Sequence, residues 1–173
     1  LVHNAWMDYG IVITRETAQS WIDGFFKKYP NVRKYQNKQI QIARKYGCVE
    51  SPLGRRRRLP EINHKNDYIR GQAERMAANH PIQNMSSDIN LIALNEMYDE
   101  GLISEAEFVP TQFIHDELIF EADEGKVMDY AKEVKRFMEN PPLRRDFGID
   151  LKVPLEAEIK VGPNGAEMEE IEV

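Results

Sequence analysis

An α+β fold, with helices packed on a small antiparallel sheet, is predicted for this 173-residue chain by three features of its sequence. Apolar residues recur at spacings of three and four over several long segments, the period of an amphipathic helix. Two segments, 48–59 and 108–122, place short strand-like runs on either side of turn or charged residues, in the manner of β-hairpins. Near the C-terminus, apolar positions alternate with mostly polar ones, the period of a strand with one covered face.

The first well-marked helix begins at Thr14, whose hydroxyl suits an N-cap, with Glu16 in the first turn where the helix dipole favours a carboxylate. Ala18, Trp21, Ile22, Phe25, Phe26 and Tyr29 form its apolar stripe, and Pro30 stops it. Asn31 is the expected cap of a second helix, marked by Val32, Tyr35, Gln39, Ala43 and Tyr46 and closed by Gly47. Its other face is basic, with Arg33, Lys34, Lys38, Arg44 and Lys45. Cys48–Glu50, Ser51–Gly54 and Arg55–Leu59 read as strand, turn and strand. Four consecutive arginines there cannot all be buried, so at least two face solvent or phosphate.

A third helix is predicted over 66–79, with Ile69, Ala73, Met76 and Ala77 inward. Pro81 breaks or kinks it, and His80 is pushed away from helical geometry. A fourth, over 86–100, turns Ile89, Ile92, Ala93 and Met97 inward. The hairpin from Phe108 to Ala122 carries His115, Asp116 and Glu117 at its tip. Val127, Tyr130, Ala131, Val134, Phe137 and Met138 mark a fifth helix, ended by Pro141 and Pro142. The last strand takes in Leu151, Val153, Leu155, Ala157, Ile159 and Val161, with Pro154 arguing for a sheet edge. The acidic tail from Glu167 to Val173 is expected to fray.

Composition narrows the function classes. The chain is 42% hydrophobic and 30% charged, as in an ordinary globular protein. No apolar run approaches the ~20 residues that span a bilayer, so no membrane partner is expected. Residues 1–6 lack the basic segment and apolar core of a signal peptide. Cys48 is the lone cysteine, which excludes an intramolecular disulfide and a cysteine-cluster zinc site and fits a reducing compartment. The net charge of -6 hides a strong asymmetry. From Lys27 to Arg75 there are 14 Lys or Arg against 4 acids, whereas the remainder carries -16. A local basic stripe is what phosphates detect, although a solvated helix surface would look the same.

Three groups of residues could carry chemistry. His115, Asp116 and Glu117 lie between two apolar strand halves, which would put carboxylates at the edge of a buried sheet, where an unpaired charge is costly. A divalent cation would relieve that cost, and carboxylate oxygens suit Mg2+ or Mn2+. The bland alternative is a polar turn. Arg75, Asn79 and Gln83, spaced by four, offer hydrogen-bond donors suited to a nucleic-acid groove, and Arg70 precedes them. A solvated helix face is the alternative here. Arg55 and Arg56 open the arginine run at a turn that could grip a sugar-phosphate backbone. No Walker-type loop or Gly-x-Ser-x-Gly elbow is present.

Taken in order, these segments resemble the family A DNA polymerases, over about residues 14–165. Residues 46–57, Tyr-Gly-Cys-Val-Glu-Ser-Pro-Leu-Gly-Arg-Arg-Arg, are similar to that family's basic hairpin. Residues 73–83, from Ala73 through Arg75, Asn79 and Pro81 to Gln83, are similar to its AER-x-A-x-N-x-P-x-Q helix pair. Ile114-His115-Asp116-Glu117-Leu118 resembles its motif C hairpin, and residues 153–158 its final palm strand.

The resemblance implies the C-terminal portion of a right-hand polymerase domain, with residues 1–65 in the fingers and 66–173 in the palm. It implies that Asp116 is one of two palm aspartates holding catalytic Mg2+ ions (Mn2+ being an alternative), with Glu117 in support and His115 near the primer end. Arg75, Asn79 and Gln83 would meet primer-template DNA in the minor groove, with Arg55, Arg56 and Arg70 as further DNA contacts. Deoxynucleoside triphosphates would be the substrates, in the cytoplasm of a bacterium or a phage-infected host cell.

The sequence departs from the family pattern in several places. Nothing matches motif A, the nucleotide-gripping fingers helix, the thumb or an exonuclease. Asn84 stands where Gly is usual, and Phe113 where Gln often is. The expected partner is therefore a complementary polymerase segment or chain carrying motif A, thumb and fingers helix. A non-catalytic nucleic-acid-binding or docking fragment is the rival reading.

Overall fold

The structure, a computed structural model, describes residues 2–104 and 107–173, with side chains of the first helix described from residue 6 onward. Leu1, on which part of the N-terminal reading rests, lies outside the described residues. The α+β class is observed. The chain forms two compact units, residues 1–50 with 56–81, and residues 51–55 with 82–173.

The first unit contains α1 (Val2–Tyr9), α2 (Arg15–Lys28) and α3 (Pro30–Tyr46). It also holds a hairpin of β1 (Cys48–Glu50) with β2 (Arg56–Arg58), and the opening half of α4 (Asp67–Asp99). Thr14 caps α2 as expected, its hydroxyl accepting from the Thr17 N–H at 3.1 Å. Backbone hydrogen bonding, and after it that hydroxyl, hold the Glu16 carboxyl below its usual value. Asn31 does not cap α3. Pro30 is the first residue of that helix, and Tyr29 caps it without a side-chain bond. Proline fits there because its missing N–H would be unpaired anyway and its φ is already helical. Gly47 closes α3 with φ 71°, and its N–H reaches Ala43 O at 2.7 Å.

The core of this unit is Ala43, Val49, Leu59, Ile62, Ala73 and Ala77. Met76, expected inward, is 43% exposed, and its sulfur accepts from Arg57. The stripe on α2 is largely uncovered: Ala18 is buried, but Trp21, Phe25 and Tyr29 are exposed.

Two helices were expected on either side of Pro81, and the structure has one. The helix α4 runs 33 residues with Pro81 inside it. An interior proline removes one ladder bond and crowds the preceding turn, a cost of ~3 kcal/mol. Buried positions on both sides offset that cost: Ala73 and Ala77 before the proline, Ile89, Ala93 and Met97 after it, with Pro81 itself buried.

The second unit contains the rest of α4, β3 (Phe108–Ile114), β4 (Glu117–Ala122), α5 (Val127–Glu139), α6 (Leu143–Phe147), β5 (Ile159–Val161) and β6 (Glu169–Ile171). Its core joins Ala93 and Met97 of α4 to Phe108, Val134 and Phe137, as the periodicity of α4 and α5 implied. Phe108 lies stacked on Phe120 at 4.6 Å and on Tyr130 at 4.4 Å, fastening the base of the β3–β4 hairpin to α5.

The expected long strand from Leu151 is shortened to β5, and the tail expected to fray is instead its partner β6. Alternation marks which face a strand would bury, but a ladder needs a neighbour for its N–H and C=O groups. Residues 151–158 pair with no strand (the Ala157 N–H donates instead to Glu139 Oε1 at 3.2 Å), Pro154 lacks a donor, and Val153 is 72% exposed. Among the described residues, no helix is long and apolar enough to cross a membrane.

Candidate active site

The strands β3 and β4 pair antiparallel from Phe108↔Ala122 to Ile114↔Glu117, leaving His115 and Asp116 as a two-residue turn. A two-residue hairpin turn requires positive φ at its first central position. His115 supplies it at φ 58°, the one non-glycine residue with positive φ among those described. Such a conformation carries strain of ~1–3 kcal/mol in a non-glycine residue. Thr111 sits at a break in register, and its hydroxyl donates to Ile119 O at 3.2 Å.

The carboxylates are not at the edge of a buried sheet. Residues 111–117 are all exposed, including Phe113 at 40% and Ile114 at 43%. The ribbon has two strands, and the side chains that join the core are near its base, at Phe108, Phe120 and Ala122, with Leu118 and Ile119 half-buried above them. The desolvation argument for a cation therefore fails within this chain. What remains is the donor chemistry. Asp116 and Glu117 offer oxygens of the kind a hard divalent cation takes. Among the described residues, however, no group of three or more potential ligands forms. The residues fit Mg2+ in kind.

The turn is tied to α4. Asn90 Nδ2 donates to Asp116 O at 2.9 Å, and Asn90 is only 8% exposed. Two residues earlier on α4, the buried Asp88 accepts from Asn84 Nδ2 at 2.7 Å and pairs with Arg55 at 2.6 Å. The Asp88 side chain is 10% exposed and that of Arg55 56%, so a buried carboxylate holds a guanidinium that still reaches solvent. Sequence reasoning missed Asn90, Asp88 and this role of Asn84. A signal was present: Asn90 shares the line of Ala93 and Met97 at spacings of three and four, and a polar residue on an inward stripe demands a partner.

The remaining predicted site residues fall in both units. Arg75 and Asn79 in the first unit and Gln83 in the second are all exposed along α4, as the polar stripe required. All four arginines from 55 to 58 are exposed. Several cations are already engaged. Arg56 bonds Glu50, which holds the guanidinium above its usual pKa. Arg70 pairs with Asp67 and donates to His64 O. The structure brings Arg55 to Asp88 and Asp116 to Asn90. Among the described residues it brings no second acid cluster to Asp116.

Comparison with known proteins decides the family. The model of DNA polymerase family A matches residues 6–167. The chain belongs to DNA polymerase family A. DNA polymerase I of Streptococcus pneumoniae is 36% identical over 151 residues, covering 87% of this chain and 16% of that protein. DNA polymerase theta of Drosophila melanogaster is 33% identical over 167 residues, covering 92% of this chain and 8% of that protein. A solved structure of the POL domain of Pol1 from M. smegmatis, in complex with DNA primer-template and dNTP, is similar with a TM-score of 0.68 and 34% identity. That match covers 83% of this chain and 24% of the other. The chain thus spans less than a fifth of the length of these curated relatives.

Proposed function

We propose that this family A chain works in template-directed DNA synthesis, contributing the Asp116 hairpin and part of the surface that holds primer-template DNA. The observation that carries the reading is the two-residue turn, which exposes Asp116 between His115 and Glu117 at the tip of a hairpin whose sequence resembles the family's motif C. Residues 1–65 would belong to the fingers and 66–173 to the palm. Arg75, Asn79 and Gln83 would touch the minor groove, where degenerate acceptors allow contact without reading sequence. Arg55, held by Asp88, would be presented to the backbone or groove, with Arg56 and Arg70 as exchangeable contacts that must first leave Glu50 and Asp67.

Asp116 would hold Mg2+, or Mn2+, together with a carboxylate from a complementary segment or chain, and Glu117 would support it. The ions would supply charge stabilisation at the attacking and leaving oxygens of nucleotidyl transfer from a deoxynucleoside triphosphate. His115 would line the approach of the primer end. Two observations favour a complementary polypeptide: the donor set at Asp116 is short of ligands, and the aromatic stripe of α2 is uncovered.

Primer extension tests the reading. The chain alone is expected to extend no primer, the assembled polymerase to do so, and Asp116→Ala to abolish extension in the assembly. Robust extension by this chain alone, or an assembled Asp116→Ala enzyme that keeps its rate and loses only DNA affinity, would overturn it. The latter result would favour the binding-module reading.

A further inference from the structure

We infer that Asn90 is a positioning residue for the Asp116 turn, a role that rests on the polymerase reading for its catalytic consequence. Burying a carboxamide is unfavourable unless its hydrogen bonds are met. Asn90 nevertheless occupies an inward position of α4, in line with Ala93 and Met97, where an aliphatic residue would pack without that cost. Its Nδ2 donates across 26 residues of sequence to the backbone carbonyl of Asp116 at 2.9 Å. A carbonyl can only accept, so the orientation of the amide is set by chemistry.

The place of this bond matters more than its strength. A two-stranded ribbon is marginal by itself, and here residues 111–117 are exposed, with Leu118 and Ile119 half-buried behind them. Side-chain packing therefore does little to fix the turn itself, where His115 and Asp116 are exposed. The Asn90 bond ties it to a 33-residue helix instead. It also does so through the main chain of Asp116. Both carboxylate oxygens are left available, since the Asp116 side chain makes no hydrogen bond or ion pair among the described residues. A device that grips the carbonyl can aim a carboxylate without occupying it.

The test uses the assembled polymerase, with single-nucleotide incorporation read against Mg2+ concentration and pH, beside thermal melting. Asn90→Leu removes the donor at similar size. Asn90→Asp replaces it with an acceptor facing a carbonyl, and becomes a donor again only when protonated. For Asn90→Leu, kcat is expected to fall about 10- to 100-fold, as a displacement of ~1 Å does in a positioned site. The Mg2+ midpoint should rise and the nucleotide KM change less than twofold. Asn90→Asp should show the same loss at alkaline pH and recover toward wild type as pH falls, which Asn90→Leu should not.

Wild-type kcat and Mg2+ midpoint in both variants would overturn the inference. So would a fall in melting temperature with an unshifted Mg2+ midpoint and no recovery in Asn90→Asp, the mark of a purely structural residue. If Asn90→Leu does not fold, Asn90→Asp and Asn90→Ser carry the comparison. Asp116→Ala, run in parallel, separates the two levels. If it abolishes incorporation while the Asn90 variants are normal, the inference alone fails. If it leaves incorporation intact, the polymerase reading fails first.

Discussion

Removing either partner of the Arg55–Asp88 pair should not cost the same, because the two groups differ in exposure. Arg55→Ala leaves a carboxylate whose side chain is 10% exposed with Asn84 as its remaining partner. A hydrogen bond to a charged group contributes about 1.5–3 kcal/mol. Breaking a fully buried pair costs ~3–5 kcal/mol, but that figure must be discounted here because the Arg55 side chain is 56% exposed and screened by water. The expected loss is therefore about 1.5–3 kcal/mol.

Asp88→Asn is different. The amide keeps the volume and can still accept from Asn84, and the freed guanidinium is rehydrated, so the loss should be ~1 kcal/mol or less. Urea unfolding of the two variants and of the wild type, at low salt and at ~1 M salt where screening extends to ~3 Å, measures both. The order Arg55→Ala worse than Asp88→Asn should survive high salt, since the dehydration of Asp88 is not screened away. Equal losses, or a larger loss for Asp88→Asn, would refute the idea that burial of the acid sets the energetics of this pair.

Two other outcomes follow from the same geometry. Because His115 holds φ 58° in the turn, His115→Gly should stabilise the hairpin by up to ~1 kcal/mol after the unfolded-state entropy of glycine is counted. His115→Val should destabilise it, and a melting order other than Gly, His, Val would contradict the strain argument. The Glu107 carboxyl is held below its usual 4.5 by hydrogen bonding and charge from Lys126. A depressed folded-state pKa adds stability above the unfolded value, and that stability is lost as pH falls through the folded one. The small melting-temperature advantage of wild type over Lys126→Gln at neutral pH should thus disappear well below pH 4.5.

Local signals made much of this legible in the sequence. The Thr14 cap, the Gly47 stop, the Ala131–Val134–Phe137 stripe and the 108–122 hairpin depend on residues close along the chain, and the structure has them where spacing placed them. The ordered family segments also carried the family, because motif order is itself a property of sequence. Apart from the Asn31 cap, displaced by Pro30 at the helix start, the errors share one cause. Whether Pro81 ends a helix, whether residues 151–158 find a ladder partner, and whether Asp116 is buried all depend on what lies alongside in space.

Sequence by itself determined the helix periods, the exposed arginine run and the polymerase family with its Asp116 turn. Only the tertiary structure decided that Asn90 grips the Asp116 carbonyl and that Asp88 holds Arg55, and that the hairpin tip is solvated within this chain. A periodicity names the face that is turned inward. It cannot name the group that meets it, because hydrogen bonds and burial are set by distances between residues far apart in the chain.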